Sequence, residues 1–210
     1  PVFQGMSVFL GLLFSVSSSS ALSNIVAGYV LIYTRAFKEG DVIRVGEYSG
    51  IVEHQALLAT RVLTFKNESV TVPNSLILSG SIMNFSAHIH GQEKGLTLHT
   101  TVTIGYDAPW RKVHELLKLA ADRTENVLKD PPPFVLQTAL NDFYVAYELN
   151  AFTRVPEKIP ALYSDLHRNI QDCFNEGGVE IMSPHYTAFR NGNHTTIPES
   201  YHPGEHRGCL

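Results

Sequence analysis

The sequence predicts a kinked membrane α-helix, then a small all-β domain, then an α+β domain. Three observations carry this. Residues 1–34 contain no charged side chain. From residue 37 the texture changes to short β-rich runs separated by turn residues. From residue 91 onward, strand patterns alternate with helix patterns. The expected parts are a transmembrane helix over 1–36, a β-barrel or sandwich over 37–90, an α+β domain over 91–184 and a tail over 185–210.

Laid out as one helix, Pro1–Thr34 would reach about 51 Å at ~1.5 Å per residue, well beyond a bilayer core of ~30 Å. It is therefore expected to break. Ser17-Ser18-Ser19-Ser20 supplies the place, because serine hydroxyls compete for backbone hydrogen bonds and bend helices. The kink is expected within Ser17–Ala21, with Ser19, Ser20 and Ala21 as its hinge. One half would span the membrane and the second would leave along its surface. Gly5, Gly11 and Ser15 are the small residues that close helix packing in a membrane requires. Leu12 and Val16 lie four apart and stack on one helical face. Repeated around a symmetric ring they would form two apolar constrictions, which gate ions by losing water. An ordinary membrane anchor fits the same periodicity. Arg35 and Lys38 follow at once and place the C-terminal side in the cytoplasm. No basic n-region precedes the apolar run, so a signal peptide is not expected. A chain opening at Pro1 inside apolar sequence reads as a piece of a longer, multi-pass membrane protein.

In the β region, Asp41–Val45, Ser49–Glu53, Ala59–Phe65 and Ser69–Val72 read as strands, with Gly40, Gly46, Gly50 and Lys66-Asn67-Glu68 as turns. Pro73-Asn74 closes the last run, since proline cannot continue a central ladder. In the α+β region, Leu96, Leu98, Thr100, Val102 and Ile104 alternate with polar neighbours as a half-buried strand does. Asp107 is the expected N-cap of a helix over Ala108–Asn126, with Val113, Leu116, Leu117, Ala120 and Ala121 on one face. Strands follow near Phe134–Thr138 and Phe143–Phe152. A second helix, Ile159–Asn175, turns Leu162, Leu166, Ile170, Cys173 and Phe174 inward and ends at Gly177-Gly178. A last strand, Val179–Met182, completes the strand-helix-strand-strand-helix-strand order of a ferredoxin-like domain. After Ser183 the sequence is polar, with at most one strand near Tyr186–Arg190.

The 210 residues carry a net charge of −4, which is uneven. Residues 1–90 hold five basic and five acidic side chains, and residues 91–210 hold 11 basic and 15 acidic ones. No basic stripe exists, so no nucleic-acid partner is expected. Cys173 and Cys209 lack a pairing pattern, which fits a reducing compartment. His88, His90, His194, His202, His206 and Cys209 match no standard zinc spacing, so no metal is expected. Asp107, Asp142 and Glu148 read as caps and solvated strand positions rather than catalytic carboxylates. With no nucleophile motif, phosphate loop or dinucleotide fingerprint, neither enzyme activity nor a cofactor is expected.

The order of parts resembles the small-conductance mechanosensitive channel (MscS-like) family, and specific residues support the likeness. Leu22-Ser23-Asn24-x-x-Ala27-Gly28 is similar to the segment just after the kink of that family's pore helix. Arg35-x-Phe37-x-x-Gly40-Asp41 is similar to its passage from membrane to β domain. Val72-Pro73-Asn74 and Asn84-Phe85-Ser86 are similar to the end of that domain. The resemblance implies that the family's two hydrophobic pore rings fall on Leu12 and Val16. It also implies that Asn24, Gly28, Arg35, Phe37 and Gly40 form the junction between membrane and β domain. Ser20 stands where the family commonly has glycine, and Phe9 and Leu13 occupy sites of small residues. The likeness further implies a homo-oligomer, typically a heptamer, among membrane lipids of the inner membrane, with residues after about 36 cytoplasmic. Its implied function is a tension-opened pore for ions and small osmolytes that protects against hypo-osmotic shock. The contrasting reading is a membrane-anchored ligand- or partner-binding module without conductance.

Overall fold

A computed structural model describes residues 20–87, 89 and 95–182. The first helix, α1, covers 20–34. Leu12, Val16, Gly5, Gly11, Ser15 and Ser19 lie outside the described residues, as does the tail after Met182. Among the described residues, no helix is long and apolar enough to cross a membrane. Ser20 and Ala21, expected in the hinge, are already helical.

The β domain contains β1 (Val42–Val45), β2 (Tyr48–Gln55), β3 (Ala59–Thr64), β4 (Ser69–Pro73), α2 (Asn74–Ser79) and β5 (Ile82–Asn84). Its five strands form one sheet in the order β4-β3-β2-β1-β5. The four ladders are antiparallel. A small barrel or sandwich is the expectation from the sequence; among the described residues the strands lie in one sheet whose edges are β4 and β5. Pro73 belongs to β4, opposite Ala59. An edge strand tolerates it there, since its missing N–H faces away from any neighbour. Gly50 is not a turn residue. It sits inside β2, where a Cβ would collide with the Leu63 carbonyl oxygen. Gly40 and Gly46 do make turns, with φ of +89° and +57°. The six-residue helix α2 was not expected, because it is too short to show a 3.6-residue pattern. It is held by Ile77, which is fully buried with Ile43, Val45, Val52, Val62 and Val72.

The second domain runs β6 (Leu96–Ile104), α3 (Trp110–Arg123), β7 (Phe134–Leu140), β8 (Val145–Thr153), a 3₁₀ turn (Pro156–Lys158) and α4 (Ile159–Glu176). Its sheet has the order β6-β8-β7. Central β8 is buried along almost its whole length. Val113, Leu117, Ala120 and Ala121 of α3 meet Leu166, Ile170, Cys173 and Phe174 of α4 over Tyr147, Leu149 and Ala151. Two expectations are corrected. Asp107 is not the N-cap: α3 starts at Trp110 behind Pro109, whose fixed φ of −62° is pre-organised for a helix start. Val179–Met182 does not form a strand. The segment returns to β6, where Met182 N–H donates to Thr103 O at 2.8 Å and the Thr103 hydroxyl bonds the Met182 carbonyl. Pro184, two residues on, carries no N–H to extend such a ladder. Gly178, at φ +61°, ends α4 as anticipated, with Val179 N–H donating to Phe174 O.

One half-buried histidine in this domain is sensitive to protons. His114 of α3 lies edge-on to Trp110 and Tyr147, and its Nε2 is buried without a hydrogen-bond partner. Burial, with Lys118 adding repulsion, lowers its pKa. The folded chain therefore favours the neutral ring, and stability should fall as pH drops below the unfolded value of about 6.5. In thermal melts across pH 5–8, His114→Phe should flatten that part of the slope. A wild-type and variant pair with parallel profiles would show that His114 protonates freely in the fold.

Candidate functional site: the junction of α1 and the β domain

The chain from α1 into β1 is tied to the β domain by apolar packing and by hydrogen bonds from both side chains and backbone. Ala27 and Leu31, four apart on one face, are buried, as is Gly28. Leu31 joins the sheet's core with Phe37. Gly28 permits this approach, because a Cβ there would collide with the Leu57 carbonyl oxygen and lie 2.6 Å from Asn74 Nδ2. Asn24 makes the next contact: its Oδ1 accepts the Ser75 N–H at 2.9 Å, and its Nδ2 donates to Ser20 O. One side chain of α1 thus satisfies an orphan N–H in the first turn of α2, which has no side-chain cap of its own.

Behind this contact sits Asn74, fully buried. Its Nδ2 donates to Ala56 O and Leu57 O, both at 2.9 Å, and its Oδ1 accepts the Thr60 hydroxyl at 2.9 Å. Its backbone N–H donates to Leu58 O. A buried amide with every side-chain group engaged fixes the β2–β3 turn, the start of α2 and the seat for Gly28 together.

The exit from α1 is equally determined. Thr34 donates to Val30 O at 2.7 Å, Arg35 N–H to Ile32 O and Ala36 N–H to Leu31 O. Arg35 adopts φ +51°. This is a Schellman-type ending with arginine at the position usually taken by glycine. Asp41 then gathers the link: its Oδ2 accepts Lys38 N–H and Asn84 Nδ2, both at 2.9 Å, and Asn84 Nδ2 also reaches Ala36 O at 3.2 Å. Ser86 Oγ accepts the Val42 N–H, extending the contact between β1 and the end of β5. On the opposite wall, Glu39 Oε1 meets His54 Nδ1 at 2.8 Å and accepts Gln55 N–H at 3.0 Å. These two bonds, the backbone one foremost, hold the Glu39 carboxyl below its usual pKa.

All five expected junction residues, Asn24, Gly28, Arg35, Phe37 and Gly40, lie in this region. The quoted Asn74 and Asn84 motifs converge on it too, although neither asparagine was expected as a site residue. Residue type does not point to Ser75 or Leu57, because a donated N–H and an accepting carbonyl leave no trace in it. Among the described residues, no group of three or more metal-ligating side chains exists. The other face of α1 is apolar and exposed, with Leu22, Ile25, Val26, Tyr29, Ile32 and Tyr33.

Comparison with known proteins matches this architecture. Residues 20–87 fit the family description "Mechanosensitive ion channel, beta-domain", and residues 98–181 fit "Mechanosensitive ion channel MscS, C-terminal". The chain belongs to the MscS-like mechanosensitive channel family. It is 28% identical over 177 residues to the small-conductance mechanosensitive channel of Edwardsiella ictaluri, covering 83% of this chain and 59% of that one. It is 26% identical over 186 residues to the large-conductance mechanosensitive channel MscMJLR of Methanocaldococcus jannaschii, covering 85% of this chain and 50% of the relative. The chain thus spans little more than half the length of these two relatives. Its fold is like that of closed-state Helicobacter pylori MscS, with a TM-score of 0.69 at 20% identity over 91% of this chain and 74% of the other.

In an open helix, Gly→Ala adds about 1 kcal/mol of stability. At Gly28 the sign should reverse, because overpacking typically costs about 1–3 kcal/mol. Denaturant unfolding of Gly28→Ala should show the loss. A gain would mean that α1 is not seated against Leu57 and Asn74.

Proposed function

We propose that the chain is the pore-lining and cytoplasmic part of a channel subunit that membrane tension opens. Seven copies surround one pore in the inner membrane, with residues after about 36 in the cytoplasm. The open pore passes ions and small osmolytes and so relieves hypo-osmotic stress. The observation that carries this reading is the seating of α1. A helix continuous in sequence with 19 uncharged residues is locked to the β domain by one face and presents an apolar face away from it. Displacement of the uncharged segment by tension would reach the β domain through that face.

In this reading Leu12 and Val16 form the two apolar constrictions, Gly5, Gly11 and Ser15 let neighbouring helices approach, and Ser19–Ala21 holds the bend. A single helix cannot enclose a pore, so several copies must share the rings. A narrow apolar ring sheds water and blocks current without a plug.

In patches from reconstituted full-length protein, Val16→Ser should lower the opening tension or leave a resting leak. Unchanged resting conductance and threshold would remove Val16 from the constriction. Total absence of tension-activated current in the unsubstituted protein, or a detergent-solubilised monomer by mass measurement, would overturn the channel reading itself.

A further inference from the structure

We propose that the segment Ser183–Arg190 docks on an apolar patch at the end of the second domain's sheet, made by Tyr106, Leu140 and Phe143 of the same chain. The contact lies within one subunit and stands or falls apart from the channel reading.

The patch sits where the strands finish. Ile104, the last residue of β6, and Leu140, the last of β7, both lie opposite Val145 of β8. Between β7 and β8 the chain reverses tightly, with Asn141 N–H donating to Tyr144 O at 2.9 Å. Tyr106 is tied to this reversal, because its hydroxyl donates to Asn141 O at 2.7 Å. Turns of this kind usually carry Gly, Asn, Asp or Ser. Here Leu140 is 72% exposed, Phe143 79% and Tyr106 57%, so three large side chains stand uncovered together. A cluster of exposed apolar groups marks a contact surface.

Three observations name the occupant. First, the chain is delivered to this place. Met182 is bonded to Thr103 of β6, and a Cβ on Gly105, the residue before Tyr106, would lie 2.9 Å from its Sδ. At ~3.3 Å per residue, Tyr186 can reach about 13 Å from Met182 and Phe189 about 23 Å, enough to span a patch of neighbouring residues. Second, the segment has the right composition. It carries two aromatic rings, Tyr186 and Phe189, and Pro184 both biases Ser183 toward an extended backbone and lacks the N–H to continue along β6. Third, the charges are complementary. Asp107 and Asp142 adjoin the patch residues Tyr106 and Phe143 in sequence, and neither forms an ion pair among the described residues. The segment brings Arg190, and no acidic side chain follows Met182 before Glu199. The same patch of a second copy would instead set aspartates against aspartates. Once docked, the Tyr186 and Phe189 rings cover Leu140 and Phe143 while Arg190 meets Asp142.

The test is photo-cross-linking in the full-length detergent-purified protein, with p-benzoylphenylalanine in place of Phe143. Thr187→Ser in the same chain marks its own tail by mass, and a co-expressed unsubstituted chain supplies unmarked tails. Peptide mass spectrometry should find the cross-link on residues 183–190 of the marked tail. Removing both rings with Tyr186→Ser/Phe189→Ser should lower that yield at least about tenfold, since each buried ring contributes at least that factor. Arg190→Gln should cost about twofold, the scale of an exposed ion pair, and Arg207→Gln nothing. A yield on unmarked tails equal to or above that on marked ones would assign the patch to a neighbouring copy and overturn the proposal. So would cross-links confined to other segments or to detergent, or an unchanged yield in the aromatic double variant.

Discussion

The junction depends on one buried amide. Asn74 offers two donors and one acceptor in a fully buried position, and the chain arranges Ala56, Leu57 and Thr60 to meet all of them. An unmet buried polar group costs about 1–3 kcal/mol, so the β2–β3 turn has little freedom to drift while Asn74 stays put. That rigidity is what α1 leans on. Gly28 fits because the Leu57 carbonyl is held in place, and Asn24 finds Ser75 N–H because Asn74 starts α2 where it does. The apolar contacts of Ala27 and Leu31 supply adhesion, and the polar set supplies register.

Mechanical consequences follow from how the chain leaves the helix. Within seven residues it ends α1, passes through Arg35 in the left-handed region, buries Phe37 and turns at Gly40 into β1. Asp41 and Asn84 bind this link to both ends of the domain, since Asn84 closes β5 and Asp41 precedes β1. A link tied at so many points transmits displacement instead of absorbing it. Most of its polar bonds are partly exposed and individually worth about 0.5–1.5 kcal/mol. The junction is thus stiff under small loads, while its contacts are weak enough to break one at a time under larger ones.

Much of this was legible in the sequence where periodicity governs. The inward faces of α3 and α4 follow from residues three and four apart, and Leu162, Leu166, Ile170, Cys173 and Phe174 are all buried. Strands β1 to β4 show as β-branched runs between turn residues. What was not legible depends on partners distant in sequence. Gly50 resembles a turn glycine until β3 is placed against it, and α2 is too short to show a period. The segment after α4 has strand-like composition, but it makes too few bonds to β6 to form a ladder. At the junction, residue motifs pointed to the region, whereas its organisation around Asn74 came only from three-dimensional pairing.

Site-resolved hydrogen exchange on the full-length protein carrying Asn74→Asp tests the central claim most directly. The substitution keeps the shape but turns two donors into acceptors facing the Ala56 and Leu57 carbonyls, at a cost on the order of 3 kcal/mol. If Asn74 seats α1, backbone amides of residues 24–34 should exchange about a hundredfold faster, while those of β1–β3 remain the slower set. Unchanged protection along 24–34 would contradict it and would mean that the apolar contacts alone hold α1 to the β domain.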